Sequence, residues 1–368
     1  MINVPPATEL SSRLNRFRHL LHSRGFSAAL IVNEKNVRYL SGFTGGDSAL
    51  LVTLTKKFLL TDFRYIEESK STAKGWPIVL KPPGLMEKAA AMAKKCRVRK
   101  LAVESGGMRV ADLRALRRVS RGIRVQPQDA MVGELRLCKS AWEVRQIERA
   151  LRIQEACFLE LCQSLKSGIS EREASAKLRF LMVKAGADDE AFRCMFQIGS
   201  HSSLPHGRPT DRVLKKNSII LMDWGAIIAG YHSDLTRTFF LGTIPQRLKK
   251  VHSIVLEAQQ KAIAKIAPGV SMMDVDAAAR QVITKAGYGR AFGHSTGHGL
   301  GLEIHEAPSL SARSKGSLCA GMVVTVEPGI YIPGVGGVRI EDDVLVTPKG
   351  HRVLSRLVKG LRWNGDNR

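Results

Sequence analysis

The sequence has no apolar run of eighteen residues, and its first twenty residues lack the apolar core of a secretory signal. A membrane-spanning helix needs about 20 apolar residues and a signal peptide a stretch of about 7–15, so we expect neither. Cysteine is also scarce, since six residues are scattered without a C-x-x-C pair. This spacing argues against a zinc knuckle or a disulfide framework. We therefore predict a cytoplasmic protein with free thiols.

Acidic residues are few beside basic ones. The 368 residues include 57 Lys and Arg but only 33 Asp and Glu, which gives a formal net charge of +24. Basic clusters lie at 94–100 and 114–124. A basic surface attracts polyanions, but no interleaved aromatic residues or zinc-finger spacing accompany the charge. We predict solvated basic faces whose contact with nucleic acid is non-specific.

The length permits two domains. In residues 1–132, helix-like periodicity alternates with short apolar runs at 28–32, 49–54, 58–61, 78–80 and 101–103, and helical segments are expected near 85–95 and 110–120. Such alternation is typical of an α/β domain, here with a mixed sheet. Nothing in this region has catalytic spacing.

The second predicted domain, 133–368, contains an internal repeat. Ser140 and Glu143 form a capping-box signature that opens a long helix. A capped helix that starts after Gly168 and ends before Gly186 recurs 101 residues later, with seven identical residues at that offset. We predict an α+β domain of two similar halves with a site between them. Coincidence between two capped helices is the alternative interpretation.

The strongest chemical signal is a set of carboxylates on apolar strands. Asp223 ends the strand-like run 219–222, and Asp234 lies on the returning strand of a predicted hairpin. Glu327 follows the run 323–326, and Glu341 lies within another. Buried carboxylates repel one another and lose hydration energy, unless cations neutralise them. Four carboxylates bring −4 and two divalent ions +4, so we predict two metal ions.

His298 completes the candidate ligand set. One histidine among carboxylates favours manganese, iron or cobalt over a structural zinc. Taken singly, each acid could be a strand-end salt bridge and His298 a core histidine, but five such residues at strand ends in one domain are hard to explain in that way. The surrounding run Gly297-His298-Gly299-Leu300-Gly301 lacks the G-x-G-x-x-G spacing of a dinucleotide loop.

These five residues resemble the metal ligands of the pita-bread metallopeptidases. That family includes methionine aminopeptidase, Xaa-Pro aminopeptidase and Xaa-Pro dipeptidase (prolidase). The resemblance covers essentially the whole chain, because residues 1–130 resemble the creatinase-type N-terminal domain of the proline-specific branch. It implies a pita-bread catalytic domain with pseudo-twofold halves, and release of the N-terminal residue from peptides with proline in second position. It also implies a homodimer.

The resemblance further implies a role for each ligand. Asp223 is expected to bind one metal and His298 the other, while Asp234 and Glu341 bridge both. Glu327 binds the second metal and is the expected general base for a metal-bridging water that attacks the scissile carbonyl. Manganese is the expected metal, with cobalt, iron and zinc as alternatives.

Four more residues are implied by position in the same resemblance. His305 is expected to stabilise the oxyanion, and His206 to assist the scissile amide. His294 is expected to line the proline pocket, and Arg339 to support the ligands and substrate. His201 and His232 lie nearby in sequence and fit a surface position equally well.

Three other functions share this fold. A methionine-aminopeptidase-like activity is disfavoured by the extra N-terminal domain, and creatinase-like hydrolysis without metal by the complete ligand set. A non-catalytic nucleic-acid- or protein-binding role is supported only by the charge. The sequence does not distinguish a dipeptidase from an aminopeptidase that accepts longer peptides.

Overall fold

The computed structural model describes residues 4–82 and 84–360. Two compact units divide the chain, Met1–Arg136 and Leu137–Arg368. The predicted domains, 1–132 and 133–368, place the division slightly earlier and stay a prediction. Their outer ends, residues 1–3 and 361–368, lie outside the described residues.

The first unit alternates helices and strands. Its elements are α1 (Ala7–Ser23), β1 (Ala28–Ile31), α2 (Glu34–Ser41), β2 (Ala49–Thr53), β3 (Lys57–Thr61), α3 (Ile66–Thr72), β4 (Ile78–Leu80), α4 (Leu85–Lys95), β5 (Lys100–Glu104), α5 (Val110–Val119), β6 (Arg124–Gln128) and α6 (Met131–Arg136).

One six-stranded sheet organises this unit, in the order β4-β3-β2-β1-β5-β6. The predicted hairpin of β2 and β3 is antiparallel, whereas β1 pairs with β5 in parallel, so the predicted mixed sheet is confirmed. The sequence analysis missed β6. This strand occupies the sheet edge and contains Pro127, a residue that edge strands tolerate because it has no N–H to donate.

The second unit contains the remaining elements. They are α7 (Ala141–Gln163), α8 (Glu171–Lys184), β7 (Asp189–Glu190), β8 (Met195–Ile198), β9 (Ser218–Trp224), β10 (Ala226–Ile228), β11 (Tyr231–His232), β12 (Leu235–Leu241), α9 (Gln246–Lys265), α10 (Met272–Lys285), β13 (Gly297–Gly299), β14 (Glu306–Leu310), β15 (Val323–Val326), β16 (Gly329–Ile332), β17 (Gly336–Arg339), β18 (Asp342–Thr347) and β19 (Gly350–Val353). Among the described residues, no helix meets the length and apolarity needed to span a bilayer.

The predicted repeat is visible in the helices. α8 and α10 have equal lengths, begin after Ser170 and Ser271, and are followed by Gly186 and Gly287, both at positive φ. Each packs against the long helix before it, α7 or α9. The predicted capping box at Ser140 is confirmed, because its hydroxyl accepts from the Glu143 N–H and the Glu143 carboxylate accepts from the Ser140 N–H.

Each half contributes strands and a core of its own. In the first half, β9 lies between β8 and β12; in the second, β15 lies between β13 and β18. Two separate apolar clusters back these sheets, one with α7 and α8 and one with α9 and α10. The halves are joined where the Glu341 N–H donates to the Thr236 carbonyl, 3.1 Å away. Strand ends from both halves therefore meet at one place.

Candidate metal centre

A cavity of about 360 Å³ opens where the strand ends of the two halves meet. Its size suits a small ligand. Every site residue predicted from the sequence lines it, together with Phe192, Met195, Pro205, Ser295 and Ile304: Asp223, Asp234, His298, Glu327, Glu341, His206, His294, His305 and Arg339. The structure thus brings the predicted set together, while the role of each residue stays a prediction.

The first half supplies Asp223 and Asp234 from a hairpin. β9 and β12 are antiparallel, with Asp223 opposite Thr236, and Asp234 directly precedes β12. The connecting turn has positive φ at both Ala229 and Gly230, as two-residue hairpin turns require. Alternate apolar residues of β9 are buried in the core, and this holds Asp223 rigidly at the cavity.

The second half supplies His298 from β13, whose backbone packs directly against the backbone of neighbouring residues. A Cβ added at Gly297 would lie 1.9 Å from the Thr325 carbonyl oxygen, and one at Gly299 would lie 2.4 Å from the Ala307 oxygen. Only glycine on each side of His298 permits this approach. This close backbone approach explains why glycines flank His298, although the run does not have the spacing of a nucleotide-binding loop.

Replacing Gly297 by Ala is expected to displace β13 and His298 with it. Overpacking of this kind destabilises a protein by about 1–3 kcal/mol, and the misplaced imidazole should also weaken metal binding. Urea unfolding and a Mn²⁺ titration measure the two effects. Gly293→Ala is the matched control, because a Cβ at Gly293 meets nothing within 4 Å. Equal unfolding midpoints for both variants would contradict this account of the glycine.

The tautomer of His298 is set by its backbone contact. Its Nδ1 lies 3.1 Å from the Gly299 carbonyl oxygen. A carbonyl can only accept, so Nδ1 carries the proton and Nε2 presents its lone pair. Nε2 lies 3.6 Å from Asp234 Oδ2 and 3.4 Å from Glu327 Oε1. Burial lowers the pKa of His298 to about 4, so the ring is neutral at pH 7, as metal ligation requires.

The remaining carboxylates come from β15 and β18. Glu327 follows β15, with its N–H donating to the Thr296 carbonyl at 2.7 Å, and Glu341 precedes β18. Ligand atoms of Asp234, His298 and Glu341 all lie within 4.8 Å of one another. This spacing is compatible with a shared metal ion.

Burial makes the carboxylates resist ionisation. Desolvation raises the pKa of Glu327 to about 8 and raises that of Asp223. The pKa values of Asp234 and Glu341 are raised well above their ordinary range, first by burial and then by repulsion from neighbouring carboxylates. A cluster of this kind needs protons or cations to balance its charge.

Unpartnered oxygens show that cations fit this cluster. Within residues 4–82 and 84–360, the buried atoms Asp223 Oδ1, Asp234 Oδ1 and Glu341 Oε1 have no hydrogen-bond partner. A buried oxygen without a donor is unfavourable by about 1–3 kcal/mol. Carboxylate oxygens and one imidazole are ligands that divalent manganese, iron and cobalt accept. The residues present therefore fit two divalent ions.

A fifth buried carboxyl group, Asp343, escaped the sequence analysis. Its Oδ2 accepts from the Asp234 N–H at 3.1 Å, and burial raises its pKa well above the ordinary value. It does not line the cavity. The available signal was the two-residue period of a strand, which places Asp343 on the face of Glu341.

Arg339 links several groups at the cavity wall. Its guanidinium donates to Asp223 Oδ2 at 2.6 Å, to Thr236 Oγ1 at 3.0 Å and to the Tyr331 hydroxyl at 2.8 Å. Thr236 in turn donates to Glu341 Oε2 at 2.6 Å. These buried charge-assisted bonds orient two predicted ligands. Neither Thr236 nor Tyr331 carries a sequence signal that distinguishes it from other strand residues.

His294 has both ring nitrogens engaged. Its Nδ1 lies 2.8 Å from the Ser295 carbonyl oxygen, so Nδ1 is the donor. Its Nε2 lies 2.9 Å from the Tyr331 hydroxyl and accepts from it, since that oxygen receives the Arg339 donor. Burial lowers the pKa of His294 to about 4. The neutral His294 ring therefore lines the cavity, and this agrees better with a role in the proline pocket than with acid–base catalysis.

The other histidines divide into two groups. His206 and His305 are exposed at the cavity, and the His305 ring centroid lies 4.3 Å from that of His298. His201 and His232 are buried and do not line the cavity. The surface position considered for these two is wrong. Their burial depends on contacts with Glu171 and with the Gly301 carbonyl, which are distant in sequence.

Sequence comparison identifies both parts of the chain. Residues 145–348 match metallopeptidase family M24, and residues 13–138 match the creatinase/prolidase N-terminal domain. A Bacillus subtilis protein described as the uncharacterized peptidase YqhT is 39% identical over 349 residues, covering 95% of this chain and 99% of its own.

Structural comparison agrees. A Bacillus anthracis Xaa-Pro dipeptidase has a TM-score of 0.93 at 38% identity, with 96% of this chain and 99% of that chain covered. A Thermotoga maritima X-Pro aminopeptidase has a TM-score of 0.88 at 34% identity, with 95% and 100% covered. The predicted fold class, including its pita-bread catalytic part, is confirmed. The chain belongs to metallopeptidase family M24 and has a creatinase/prolidase-type N-terminal domain.

Proposed function

We propose that this metallopeptidase hydrolyses the bond between an N-terminal residue and a following proline. The observation that carries the proposal is the gathering of Asp223, Asp234, His298, Glu327 and Glu341 around one cavity, with three carboxylate oxygens lacking protein donors. Similarity to an Xaa-Pro dipeptidase and an X-Pro aminopeptidase supports the proline specificity.

We assign the five residues to two divalent metal ions, with manganese as the preferred metal. When bound, such ions supply Lewis acidity and make water nucleophilic near neutral pH. The protein's own contribution is to fix the ligands. The Gly299 carbonyl orients His298, and Arg339 and Thr236 orient Asp223 and Glu341.

The residues of the cavity have separate proposed roles in catalysis and substrate binding. Glu327 accepts the proton of the attacking water, because its carboxyl group lines the cavity with Oε1 3.4 Å from His298 Nε2. His305 donates to the developing oxyanion, and His206 assists the scissile amide. The neutral ring of His294 lines the proline pocket, where both its nitrogens are already engaged.

Substrate length separates the two proline-specific activities. After manganese loading, Ala-Pro should be hydrolysed, and Ala-Pro-Ala should be hydrolysed as well only if the enzyme is an aminopeptidase. Release of free alanine measures both reactions. Glu327→Ala is expected to lower kcat by about 1,000-fold or more, because both a ligand and the general base are lost.

A Met-Ala arm tests the other enzymatic interpretation. Turnover of Met-Ala but not of Ala-Pro would replace the proposed specificity by methionine-aminopeptidase-like activity. Turnover of Ala-Pro that survives complete metal removal would contradict the metal-dependent mechanism. Homodimer formation, a cytoplasmic location and domain limits of 1–132 and 133–368 are also proposals, to be tested by molar mass in solution, by fractionation and by expressing the segments separately.

A further inference from the structure

The loop of residues 204–209, here called the His206 loop, presents an exposed histidine to the cavity. Pro205 precedes His206, and a Gly207 N–H to Leu204 carbonyl bond of 3.1 Å closes the turn. A side chain that meets substrate from an exposed loop is effective only if the backbone beneath it is fixed. The contacts that fix this backbone come from residues with no role so far.

Gln197 holds the loop from below. It lies on β8 with no exposed surface, and its Nε2 donates to the Leu204 carbonyl at 2.7 Å and to the Gly207 carbonyl at 3.2 Å. These two bonds bracket Pro205 and His206. Opposite Gln197 in the sheet is Leu221, two residues before Asp223, so the same strand pair supports both the loop and a predicted ligand.

The two ends of the Gln197 amide differ in their hydrogen bonding. Its Oε1 is buried and has no hydrogen-bond partner within the described part of the chain. A methionine here would fill similar space and remove the unsatisfied oxygen, but it would leave the Leu204 and Gly207 carbonyls without the Gln197 donor. The two N–H donors to the loop are what only the amide supplies.

Glu171 fixes the exit of the loop. This fully buried first residue of α8 accepts from the Ile198 N–H at 2.8 Å and from both the N–H and the hydroxyl of Thr210, at 2.8 and 2.7 Å. Its carboxylate also faces His201 Nδ1 at 2.8 Å, so that nitrogen donates. One carboxylate thus ties the end of β8 to the residue after the His206 loop.

The His206 loop is also fixed by close packing at Gly207 and by a hydrogen bond from Arg339, which contacts the candidate metal centre. A Cβ at Gly207 would lie 2.3 Å from Gln197 Nε2 and 3.1 Å from His201 Nε2, so the loop backbone rests directly on these side chains. Arg339, which bonds Asp223, also donates to the Pro205 carbonyl at 3.3 Å. The loop is therefore held from both sides of His206.

We propose that Gln197, with Glu171 and His201 beside it, is a positioning residue that holds the His206 loop in register with the metal centre. These three residues are called the brace. The proposal rests on the proposed function for its catalytic consequence, but the positioning itself is a property of the protein without substrate.

A double-mutant cycle tests the catalytic consequence. Gln197→Met is expected to lower kcat for Ala-Pro by about 10- to 100-fold, as a misplacement of about 1 Å does. In a His206→Ala background the same change should have an effect of less than about twofold, because the group being positioned is gone. Losses that multiply across the cycle would show that Gln197 acts independently of His206 and would overturn the proposal.

Histidine NMR tests the positioning without any turnover. In protein labelled with ¹⁵N-histidine, the His206 signal is identified by its loss in His206→Ala. Gln197→Met should shift or broaden the His206 signal and leave the histidines outside the brace unchanged. Gln163→Met, at the exposed end of α7, is the matched control and should change none. An unaltered His206 signal in Gln197→Met would refute the brace even in an enzyme inactive on Ala-Pro.

A second variant covers the case in which Gln197→Met does not fold. Thr210 is half-buried, and Thr210→Val removes its hydroxyl bond to Glu171 together with the 3.3 Å bond that this hydroxyl accepts from the Arg212 N–H, while the backbone N–H bond to Glu171 is retained. The same shift of the His206 signal is expected, together with a smaller loss of kcat that again disappears in His206→Ala. A normal melting temperature with no change in the His206 signal would count against the proposal.

Discussion

Replacing Glu341 by Gln is expected to lower kcat/KM on Ala-Pro by about 1,000-fold or more, because one of the proposed shared metal ligands is lost. The substitution retains the shape of the side chain and an oxygen that can accept from the Thr236 hydroxyl, 2.6 Å away in the native protein. Metal affinity, measured by titrating the chelated protein with Mn²⁺, should fall with the activity. The metal-free variant should still fold.

Asp343→Asn is the matched control for this prediction. Both acids are buried, Glu341 directly before β18 and Asp343 within it, but Asp343 does not line the cavity. An asparagine oxygen can still accept from the Asp234 N–H. The change in kcat/KM should stay below about tenfold, equivalent to about 1.4 kcal/mol. Equal losses for the two variants would mean that Asp343 is a ligand.

The metal-free protein is expected to lose stability as pH rises from 6.5 to about 8.5. Glu327 ionises near 4.5 in the unfolded chain but at about 8 in the folded one. The stability from its folded-state proton is therefore complete below 4.5 and is lost as pH rises through 8. The whole shift corresponds to roughly 5 kcal/mol, of which roughly 2 kcal/mol falls between pH 6.5 and 8.5. Asp234 and Glu341, also raised by burial, act in the same direction.

Between pH 6.5 and about 8.5, the expected change in stability comes from the carboxyl groups and not from His294 or His298. His294 and His298 have lowered pKa values of about 4, so their effect on stability is confined to pH below their ordinary value of 6.5. Melting temperatures in chelator should fall across the window, and excess Mn²⁺ should remove the fall, since cations bind the ionised ligands. Glu327→Gln should flatten the chelator curve. A melting temperature that rises with pH in chelator would contradict the assignment.

The prediction for Glu341→Gln and the prediction for stability against pH both depend on the balance of charge in a buried cavity. Burial raises the pKa of all four carboxyl groups that line the cavity, and repulsion by neighbouring carboxylates raises it further for Asp234, Glu327 and Glu341. Arg339 supplies one compensating positive charge, but it is bonded to Asp223 alone among the predicted ligands. Metal binding is therefore expected to contribute both to catalysis and to the stability of the second unit.

The sequence by itself determined the repeat and predicted the set of candidate metal ligands. Caps such as Ser140 with Glu143 are local signals, because a helix end must satisfy its own free N–H groups within a few residues. A carboxylate within an apolar strand, such as Asp223, or directly before one, such as Glu341, is likewise recognisable wherever it occurs, since desolvation is unfavourable in any fold. The paired helices α8 and α10 follow from such signals.

Tertiary structure alone decided which side chains support these ligands. Tyr331 reaches His294 across 37 positions, and Arg339 reaches Asp223 across 116. The burial of His201 and His232 and the contact of Asp343 with Asp234 also depend on long-range pairings. Gln197 reaches the His206 loop across only seven and ten positions, but the loop conformation that allows this contact is not visible in the sequence pattern. The identity of the predicted ligands can be recognised from residue type and local sequence pattern. Orientation depends on hydrogen-bond partners that only the folded chain brings within 3 Å.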